Sequence, residues 1–219
     1  MAIDFPQHIF ITGTDTDIGK TLVSALLLAG LDGHYWKPIQ TGIPSPTNTK
    51  APYYEVGDTA WVVQHAAVPI DRTHPPTHQF SLPLSPHAAA QFANTVVSLS
   101  DFDLPTIPQD RTLVVEGAGG VMVPLNDEHY MLDLMKRLAI PVIIVARSSL
   151  GTINHTLLTL TQLRAHEVPV FGVILNGVKN PGNKQSIERF GEVRVIGEIE
   201  PMATITPSSL RQCFHETFR

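Results

Sequence analysis

The sequence is poor in cysteine, in long apolar runs and in clustered positive charge. Its single cysteine, Cys213, excludes an intramolecular disulfide and a cysteine-based zinc site, and it fits a reducing cytoplasm. No apolar run approaches the roughly 18 residues that a membrane span needs, and the N-terminal residues lack the pattern of a signal peptide. The formal net charge is -5 and no basic run of five residues occurs. We therefore expect a cytoplasmic protein whose partners include neither nucleic acid nor a membrane.

The chain has the size and composition of one globular α/β domain. It contains 219 residues, of which 43% are hydrophobic and 16% charged, proportions that suit a soluble protein with a packed core. A proline-rich segment at 43–86 is predicted to be mostly extended loop, because proline fixes φ and removes a backbone donor. We predict a single domain that spans residues 1–219.

Continuous apolar runs without polar alternation predict strands that are buried on both faces of a sheet. These runs cover residues 8–12, 111–116, 141–146, 168–176 and 193–199. Helices are predicted at 21–31, 57–66, 130–138, 151–165, 183–190 and 207–218, with another beginning at Ser85 and Pro86. The alternation of strands and helices predicts a mostly parallel sheet with helices on both faces.

Glycine and polar residues stand where these predicted strands end. Gly13 follows the first strand, Glu116 ends the second, Ser148 and Ser149 follow the third, and Asn176 ends the fourth. Ligands of parallel sheets bind beyond the carboxyl ends of the strands, so we expect the functional site there. For any one position, the alternative is that a strand end needs a polar residue or a glycine to turn.

The stretch GTDTDIGKT, residues 13–21, has the pattern of a phosphate-binding loop with one extra residue. Five residues, where four are usual, separate Gly13 from Gly19. A predicted strand precedes the stretch and a predicted helix follows it, so that backbone N–H groups and a helix N-terminus would surround a phosphate. In this pattern Lys20 reaches the β- and γ-phosphates, and the hydroxyl of Thr21 binds Mg²⁺.

The extra residue widens the loop and leaves the final Gly-Lys-Thr unchanged. The polar side chains of Thr14, Asp15, Thr16 and Asp17 could then reach a second ligand beside the γ-phosphate. The carboxylates of Asp15 and Asp17 would repel a triphosphate. They would be tolerable if they face a cationic co-substrate.

Further candidate residues follow in the sequence. Lys37, in the motif KPIQTG with Thr41, would neutralise charge on a transferring phosphoryl group, although an ordinary surface lysine is the alternative. Asp58 and Glu116 are candidate Mg²⁺ ligands, since this ion binds one or two carboxylates together with a hydroxyl and phosphate oxygens. The stretch SSLGTINH, residues 148–155, opens a helix whose N–H groups could bind a carboxylate or could simply be capped.

Five motifs, in this order along the chain, resemble those of the dethiobiotin synthase family. They are GTDTDIGKT, KPIQTG, SPHAAA, VEGAGGVMVPL and ARSSLGTINHTLLTL, and the resemblance spans roughly residues 8–200. It implies an α/β, P-loop NTPase-like fold. It also implies a ligase of biotin biosynthesis that carboxylates 7,8-diaminononanoate with CO₂ and closes a cyclic urea, using ATP and Mg²⁺. The intermediates would be a carbamate and a carbamic–phosphoric anhydride.

The resemblance also implies a role for each matching residue. The catalytic residues would be Lys20, Lys37 and Thr16. The nucleotide would contact Gly13, Thr14, Asp15, Asp17, Ile18, Gly19, Lys20, Thr21, Glu116 and Asn176, the last at the adenine edge. The substrate would contact Thr16, Lys37, Thr41, Gly119, Leu150, Gly151, Thr152, Ile153 and Asn154. Mg²⁺ would be held by Thr21, Asp58 and Glu116. Residues 150–154 would bind the substrate carboxylate across the interface of a homodimer.

Three other classes of protein share parts of this pattern. A nucleotide-dependent switch or partitioning ATPase usually carries a lysine early in the phosphate loop, whereas positions 14–18 here read TDTDI. A different amide-forming ligase of the same fold would share the phosphate and metal residues. A GTPase would need an Asn-Lys-x-Asp motif, which the stretch NGVKN at 176–180 does not match.

Overall fold

A computed structural model describes residues 3–43 and 52–219 of the chain. The strands are β1 (His8–Gly13), β2 (His34–Trp36), β3 (Ile39–Gln40), β4 (Thr73–His74), β5 (His78–Gln79), β6 (Leu113–Gly120), β7 (Val142–Arg147), β8 (Val170–Asn176) and β9 (Val195–Ile199). The helices are α1 (Lys20–Leu31), α2 (Gly57–Ala66), α3 (Pro86–Phe92), α4 (Met131–Leu138), α5 (Thr152–Ala165), α6 (Pro181–Gly191) and α7 (Pro207–Phe218). Every predicted strand and helix is present, within a few residues of its predicted bounds.

Seven strands form one sheet in the order β4-β2-β6-β1-β7-β8-β9, and each neighbouring pair is parallel. The predicted parallel sheet is confirmed. In the central strand β1, Ile9, Phe10 and Ile11 are fully buried, which explains why the strand shows no polar alternation. Burying one such side chain stabilises the fold by roughly 1.5–3 kcal/mol. Strands β3 and β5 form a separate two-stranded parallel sheet.

Helices cover both faces of the large sheet, as predicted. On one face Ile11 packs in a cluster with α1, α2 and α7, which contribute Leu26 and Phe214 among others. On the opposite face Phe10 packs with α4, α5 and α6, represented by Leu134. None of the helices in the described ranges is both long enough and apolar enough to cross a bilayer.

The structure adds strands that the sequence patterns did not indicate. Strand β2 has three residues and β4 has two, so neither is long enough to show a hydrophobic pattern. Both belong to the large sheet, and β4, like β5, lies inside the proline-rich segment that was predicted to be mostly loop. Residues 44–51 of that segment lie outside the described residues.

Strand β6 runs past Glu116, where the predicted strand ended. It continues to Gly120, which pairs with Gly13 beyond an irregularity in the register after Ile11. This extension places Gly119, whose φ is 66°, near the carboxyl end of the central strand. The carboxyl ends of β1, β2, β6 and β8 therefore meet at one edge of the sheet, where the site was expected.

Candidate active site

The loop between β1 and α1 is held in place by a residue from β8. Asn176 Nδ2 donates a hydrogen bond to the backbone carbonyl of Ile18 at 3.0 Å. The next residue, Gly19, has φ 99°, and a Cβ added there would overlap with Asn176 Nδ2. Gly19 is thus required both by its left-handed backbone and by the close approach of the Asn176 amide.

Lys20 begins α1 directly after this loop. Its side chain is buried, and Nζ donates to the backbone carbonyl of Asp15 at 3.0 Å. Burial is the largest effect on the pKa of Lys20 and lowers it, although the Glu116 carboxylate opposes the shift. A lysine at this position points back over the phosphate loop, as the sequence pattern predicts for a group that reaches phosphates.

The two aspartates of the loop have different surroundings. Asp15 Oδ2 accepts from Arg147 Nη2 at 2.7 Å, and Asp15 Oδ1 accepts from the backbone N–H of Thr16 at 2.7 Å. Asp17 is exposed and has a left-handed backbone with φ 53°. The protein itself therefore supplies a cation for Asp15, so that this carboxylate does not require a cationic co-substrate to balance its charge.

Glu116 is the centre of the polar cluster under the loop. Its Oε1 accepts from the Thr21 hydroxyl at 2.8 Å and from Lys37 Nζ at 2.9 Å. Its Oε2 accepts from the Tyr35 hydroxyl at 2.9 Å. Both carboxylate oxygens are thus engaged, and Glu116 is only 1% exposed. The donors come from two places in the fold: Thr21 belongs to α1, and Tyr35 and Lys37 lie in β2 and directly after it, whereas Glu116 itself belongs to β6.

Lys37 joins the two carboxylates that the sequence singled out as metal ligands. Its ammonium group pairs with Asp58 as well as with Glu116. Burial is the largest effect on the pKa of Lys37 and lowers it, but Glu116 and Asp58 together outweigh burial, so that the pKa is raised. The side chain is 7% exposed. The interpretation of Lys37 as an ordinary surface lysine is therefore wrong.

The position of Asp58 depends on Gln40. The Gln40 side-chain Oε1 accepts from the backbone N–H of Asp58 at 3.1 Å, and Gln40 Nε2 donates to the Thr41 carbonyl at 2.8 Å. Asp58 lies in the first turn of α2, as expected for an acidic residue near a helix N-terminus. Gln40 thereby connects the start of α2 to the backbone at Thr41, a predicted substrate contact.

The donor set of Thr21, Asp58 and Glu116 fits a hard cation. It consists of one hydroxyl and two carboxylates, the oxygen ligands that Mg²⁺ takes from proteins when phosphates and water complete its shell. In residues 3–43 and 52–219, no group of three or more His, Cys, Asp or Glu side chains is placed to hold a metal ion by itself. Three protein oxygens would leave the remaining positions around such an ion to oxygens of other groups.

A cleft of about 810 Å³ lies over this cluster, and most of the predicted residues line it. The predicted residues in its wall are Thr16, Asp17, Ile18, Gly19, Lys20, Thr21, Lys37, Thr41, Asp58, Glu116 and Gly119. Four consecutive residues before and at the start of α3 also line the cleft: Pro83, Leu84, Ser85 and Pro86. The cleft thus brings together the phosphate loop and the motifs KPIQTG, SPHAAA and VEGAGG.

Other predicted residues lie outside this cleft. Gly13, Thr14 and Asp15 line a smaller pocket of about 360 Å³, which adjoins the cleft at Thr16 and Val123. Asn176 donates a hydrogen bond to the phosphate loop at Ile18 and does not line the cleft. The five residues at 150–154 form the start of α5, with Gly151 as N-cap, and none of them lines the cleft of the same chain.

Sequence reasoning missed Tyr35, Gln40 and Arg147. Tyr35 had a usable signal, because it stands two residues before Lys37, and alternate residues of a strand share a face. Arg147 ends β7 and is 132 residues away from Asp15, so that no local pattern indicates their ion pair. Gln40 lies within the quoted motif KPIQTG, but nothing in the motif shows that its side chain meets the start of α2.

Comparison with known proteins agrees with the geometry. A family model described as an AAA domain matches residues 7–209. The ATP-dependent dethiobiotin synthetase of Paramagnetospirillum magneticum is 49% identical, over 93% of this chain and 93% of its own. The ATP-dependent dethiobiotin synthetase of Nitrobacter hamburgensis is 40% identical, over 96% of this chain and 94% of its own.

Among solved structures, the MinC:MinD cell division protein complex of Aquifex aeolicus has a similar fold. The TM-score is 0.52 at 14% sequence identity, over 98% of this chain and 94% of that chain. At this identity the likeness shows the fold alone, the P-loop NTPase-like sheet that was predicted, and does not favour a switch ATPase. Because both relatives align with nearly their whole length at 40% identity or more, this chain belongs to the ATP-dependent dethiobiotin synthetase family.

Proposed function

We propose that this protein converts 7,8-diaminononanoate, CO₂ and ATP into dethiobiotin, ADP and phosphate in a reaction that needs Mg²⁺. Membership of the family supports this function, and one observation of the site carries it. That observation is the hydrogen-bonded set of Thr21, Lys37 and Glu116 beside the phosphate loop. It gathers a lysine, a carboxylate and a hydroxyl where a γ-phosphate would lie, in a cleft of about 810 Å³ that has room for a second, small substrate.

The reaction proceeds in three steps that balance without a covalent enzyme intermediate. One amine of the substrate bonds to the carbon of CO₂ and loses a proton, which gives a carbamate. A carbamate oxygen then attacks the γ-phosphorus while the bond to the ADP oxygen breaks, which gives a carbamic–phosphoric anhydride. Finally the second amine attacks the carbamoyl carbon and loses a proton, the C–O bond to phosphate breaks, and the cyclic urea closes.

The chain contributes positioning and charge stabilisation to these steps. Lys20 stands at the start of α1 and would contact the phosphates, with Thr16 at the side of the loop that faces the second substrate. Lys37 is held in one place by Glu116 and Asp58, so that its positive charge is preorganised for the carbamate and the γ-phosphoryl group. Thr41 and Gly119, in the cleft wall, would contact the substrate.

Thr21, Asp58 and Glu116 would hold Mg²⁺. When bound there, the ion would neutralise negative charge on the phosphate oxygens during transfer. The backbone of residues 13–19 would surround the phosphates, as in other loops of this kind. Asn176 would contact the adenine edge. In the structure its amide nitrogen donates a hydrogen bond to the carbonyl of Ile18 in the phosphate loop.

We also propose a homodimer in which residues 150–154 of one chain approach the substrate in the cleft of the other. Three observations support it. These residues lie outside the cleft of their own chain, and Leu150 is 95% exposed. In addition, the exposed apolar side chains of Met122 and Leu158 line the small pocket that adjoins the cleft, and apolar surface of this kind is typical of interfaces.

Two further proposals concern the whole chain. We propose that residues 1–219 form one domain, which the packing of α1 to α7 on a single seven-stranded sheet supports within the described residues. We propose a cytoplasmic location, which the single cysteine supports, because proteins of oxidising compartments more often carry disulfide-forming pairs.

The reaction is tested by incubating the protein with ATP, Mg²⁺, the diamine and ¹³C-bicarbonate. We expect ADP release only when both diamine and bicarbonate are present, and a product whose ring carbon carries the ¹³C label by mass spectrometry. ATP hydrolysis that needs neither compound would instead indicate a switch ATPase. ADP release with the diamine but without label in the product would indicate a different ligase.

The dimer is tested by co-expressing two inactive variants, Lys37→Ala in the cleft and Asn154→Ala at the start of α5. If the two regions act in one site built from two chains, co-expressed variants restore activity that neither has alone. Sedimentation of the wild type should show a dimer. A monomeric, fully active enzyme would contradict this proposal.

A further inference from the structure

Tyr35 is a buried tyrosine whose hydroxyl ends at the candidate metal site. It lies in the middle of β2 and is fully buried. Its hydroxyl donates to Glu116 Oε2 at 2.9 Å. Neither the loop motif nor the motif KPIQTG includes this residue, and the proposed reaction gives it no chemical step.

The backbone register of the sheet fixes the geometry of this contact. Tyr35 pairs with Val114 across β2 and β6, and Glu116 follows Val114 by two residues. Alternate residues of a strand point to the same face, so that Tyr35 and Glu116 both face α1, which supplies Thr21. The tyrosine hydroxyl therefore approaches the carboxylate from the sheet side, whereas Thr21 approaches it from the helix.

The hydrogen bonds of Glu116 divide between its two oxygens. Thr21 and Lys37 both donate to Oε1, and Tyr35 donates to Oε2. Among the described residues, the hydroxyl of Tyr35 is the group that donates a hydrogen bond to Oε2. The two donors on Oε1 hold one side of the carboxylate in place. The third donor, on the other oxygen, fixes its orientation.

The hydroxyl of Tyr35 faces a carboxylate oxygen, so that the tyrosine is the donor in this hydrogen bond. The ring is fully buried in the apolar cluster that also includes residues of α1, and this packing holds the hydroxyl at Oε2.

We propose that Tyr35 is a positioning residue, which orients Glu116 so that its Oε1 stays beside Thr21 for the divalent cation of the bound nucleotide. This inference rests on the proposed function for the cation and the nucleotide. It goes beyond that function by assigning a role to a side chain that contacts neither. Removing a group that hydrogen-bonds to a metal ligand typically lowers metal affinity by about 10–100-fold.

The test measures cation binding directly, by titrating Mn²⁺ into the protein with saturating ADP and following free Mn²⁺ by electron paramagnetic resonance. We expect Tyr35→Phe to weaken Mn²⁺ binding about 10-fold or more, with ADP affinity in the absence of metal unchanged. The matched control is Tyr53→Phe, which removes a hydroxyl that donates to the Thr73 carbonyl at 2.8 Å, away from Glu116. This control should bind Mn²⁺ like the wild type.

A second pair of variants shows whether Tyr35 acts through Glu116. In a Glu116→Ala background, Tyr35→Phe should cause no further loss of Mn²⁺ affinity, because the group that it orients is gone. An undiminished loss in that background would overturn the proposal, as would equal Mn²⁺ affinity of Tyr35→Phe and wild type.

One measurement does not depend on whether Tyr35→Phe folds. 3-Fluorotyrosine placed at position 35 keeps the hydroxyl, and its ¹⁹F resonance should shift when Mg²⁺ is added to the ADP complex. A resonance that does not respond to Mg²⁺ would overturn the proposal. All these readouts use ADP and a divalent cation without the diamine, so that failure of the ligase reaction is distinguished from failure of the role given to Tyr35.

Discussion

Asn176, at the end of β8, donates a hydrogen bond to the carbonyl of Ile18 and so connects β8 to the phosphate loop. The two residues are 158 positions apart in the chain. The same amide lies so close to Gly19 that it leaves no room for a side chain there. The loop therefore takes its shape from β8 as well as from its own glycines.

Two roles are open to Asn176, support of the phosphate loop and recognition of the nucleotide base, and they predict different effects of its substitution. If Asn176 mainly supports the loop, Asn176→Ala should weaken ADP, CDP and GDP by a similar factor, about 5-fold for the loss of roughly 1 kcal/mol. Isothermal titration calorimetry with the three nucleotides measures this. The control is Asn183→Ala, which removes an amide that donates to the Ser148 carbonyl at 2.8 Å. Selective loss of ADP binding would instead favour contact with the adenine edge.

Gly19 has a left-handed backbone and lies against the Asn176 amide. Gly19→Ala should destabilise the protein by about 1–3 kcal/mol through backbone strain and should weaken nucleotide binding further, because the new Cβ meets the Asn176 amide. The matched control is Gly151→Ala, where φ is 93° but no atom lies within 4 Å of the added Cβ. Urea unfolding and ADP titration of both variants measure the difference. Equal effects on ADP binding would mean that the clash with Asn176 does not matter.

Lys37 is the cation that Glu116 and Asp58 share. Lys37→Met leaves Glu116 and Asp58 without their shared cation, which should destabilise the fold by about 3–5 kcal/mol, the range for a broken buried pair. The partly exposed Asp58 places the expected effect at the lower end of this range. Lys184→Met is the control, since Lys184 forms a more exposed pair with Glu198 and its loss should cost about 1 kcal/mol or less. Both values come from urea unfolding at pH 7.

The pH dependence of stability follows from the same residue. The pKa of Lys37 is raised in the folded protein above its ordinary value of 10.5. Its ion pairs therefore contribute stability that is fully present below pH 10.5 and is lost as the pH rises through the folded pKa. The difference in unfolding free energy between wild type and Lys37→Met should be constant from pH 7 to pH 9 and shrink only as the pH rises above 10.5. A difference that already changes between pH 7 and pH 8 would contradict this assignment.

Asp15 of the phosphate loop forms an ion pair with Arg147. Both side chains are partly exposed, at 51% and 39%, so that Arg147→Gln should change stability by less than about 1 kcal/mol. It should nevertheless weaken ATP binding, because the Asp15 carboxylate then faces the triphosphate without its cation, and this effect should decrease with added salt. Fluorescence titration with a labelled ATP analogue at several salt concentrations measures the ATP affinity and its salt dependence.

Combining Arg147→Gln with Asp15→Asn tests whether Arg147 acts by neutralising Asp15. The double variant Asp15→Asn, Arg147→Gln should regain most of the lost ATP affinity, because both charges are removed together. If the double variant binds ATP as weakly as Arg147→Gln, then Arg147 contacts the nucleotide itself and does not act by neutralising Asp15.

The long strands and the loop could be predicted because their signals are local. Strands β1, β7 and β8 are apolar without interruption, since both of their faces are covered by helices. The stretch at 13–21 carries its chemistry in consecutive residues. Strand β2 escaped prediction because three residues are too few to show a period, although it carries Tyr35 and leads to Lys37.

The sequence by itself determined the class of fold, the phosphate loop and the identity of the charged residues Lys20, Lys37, Asp58 and Glu116. Only the tertiary structure decided which of them touch: Thr21 meets Glu116 across 95 positions, and Lys37 meets Glu116 across 79. The physical reason is that residue types and their periods are properties of short stretches, whereas contacts in a parallel sheet depend on strand order and register. Those are set by the packing of whole elements, and no short stretch contains them.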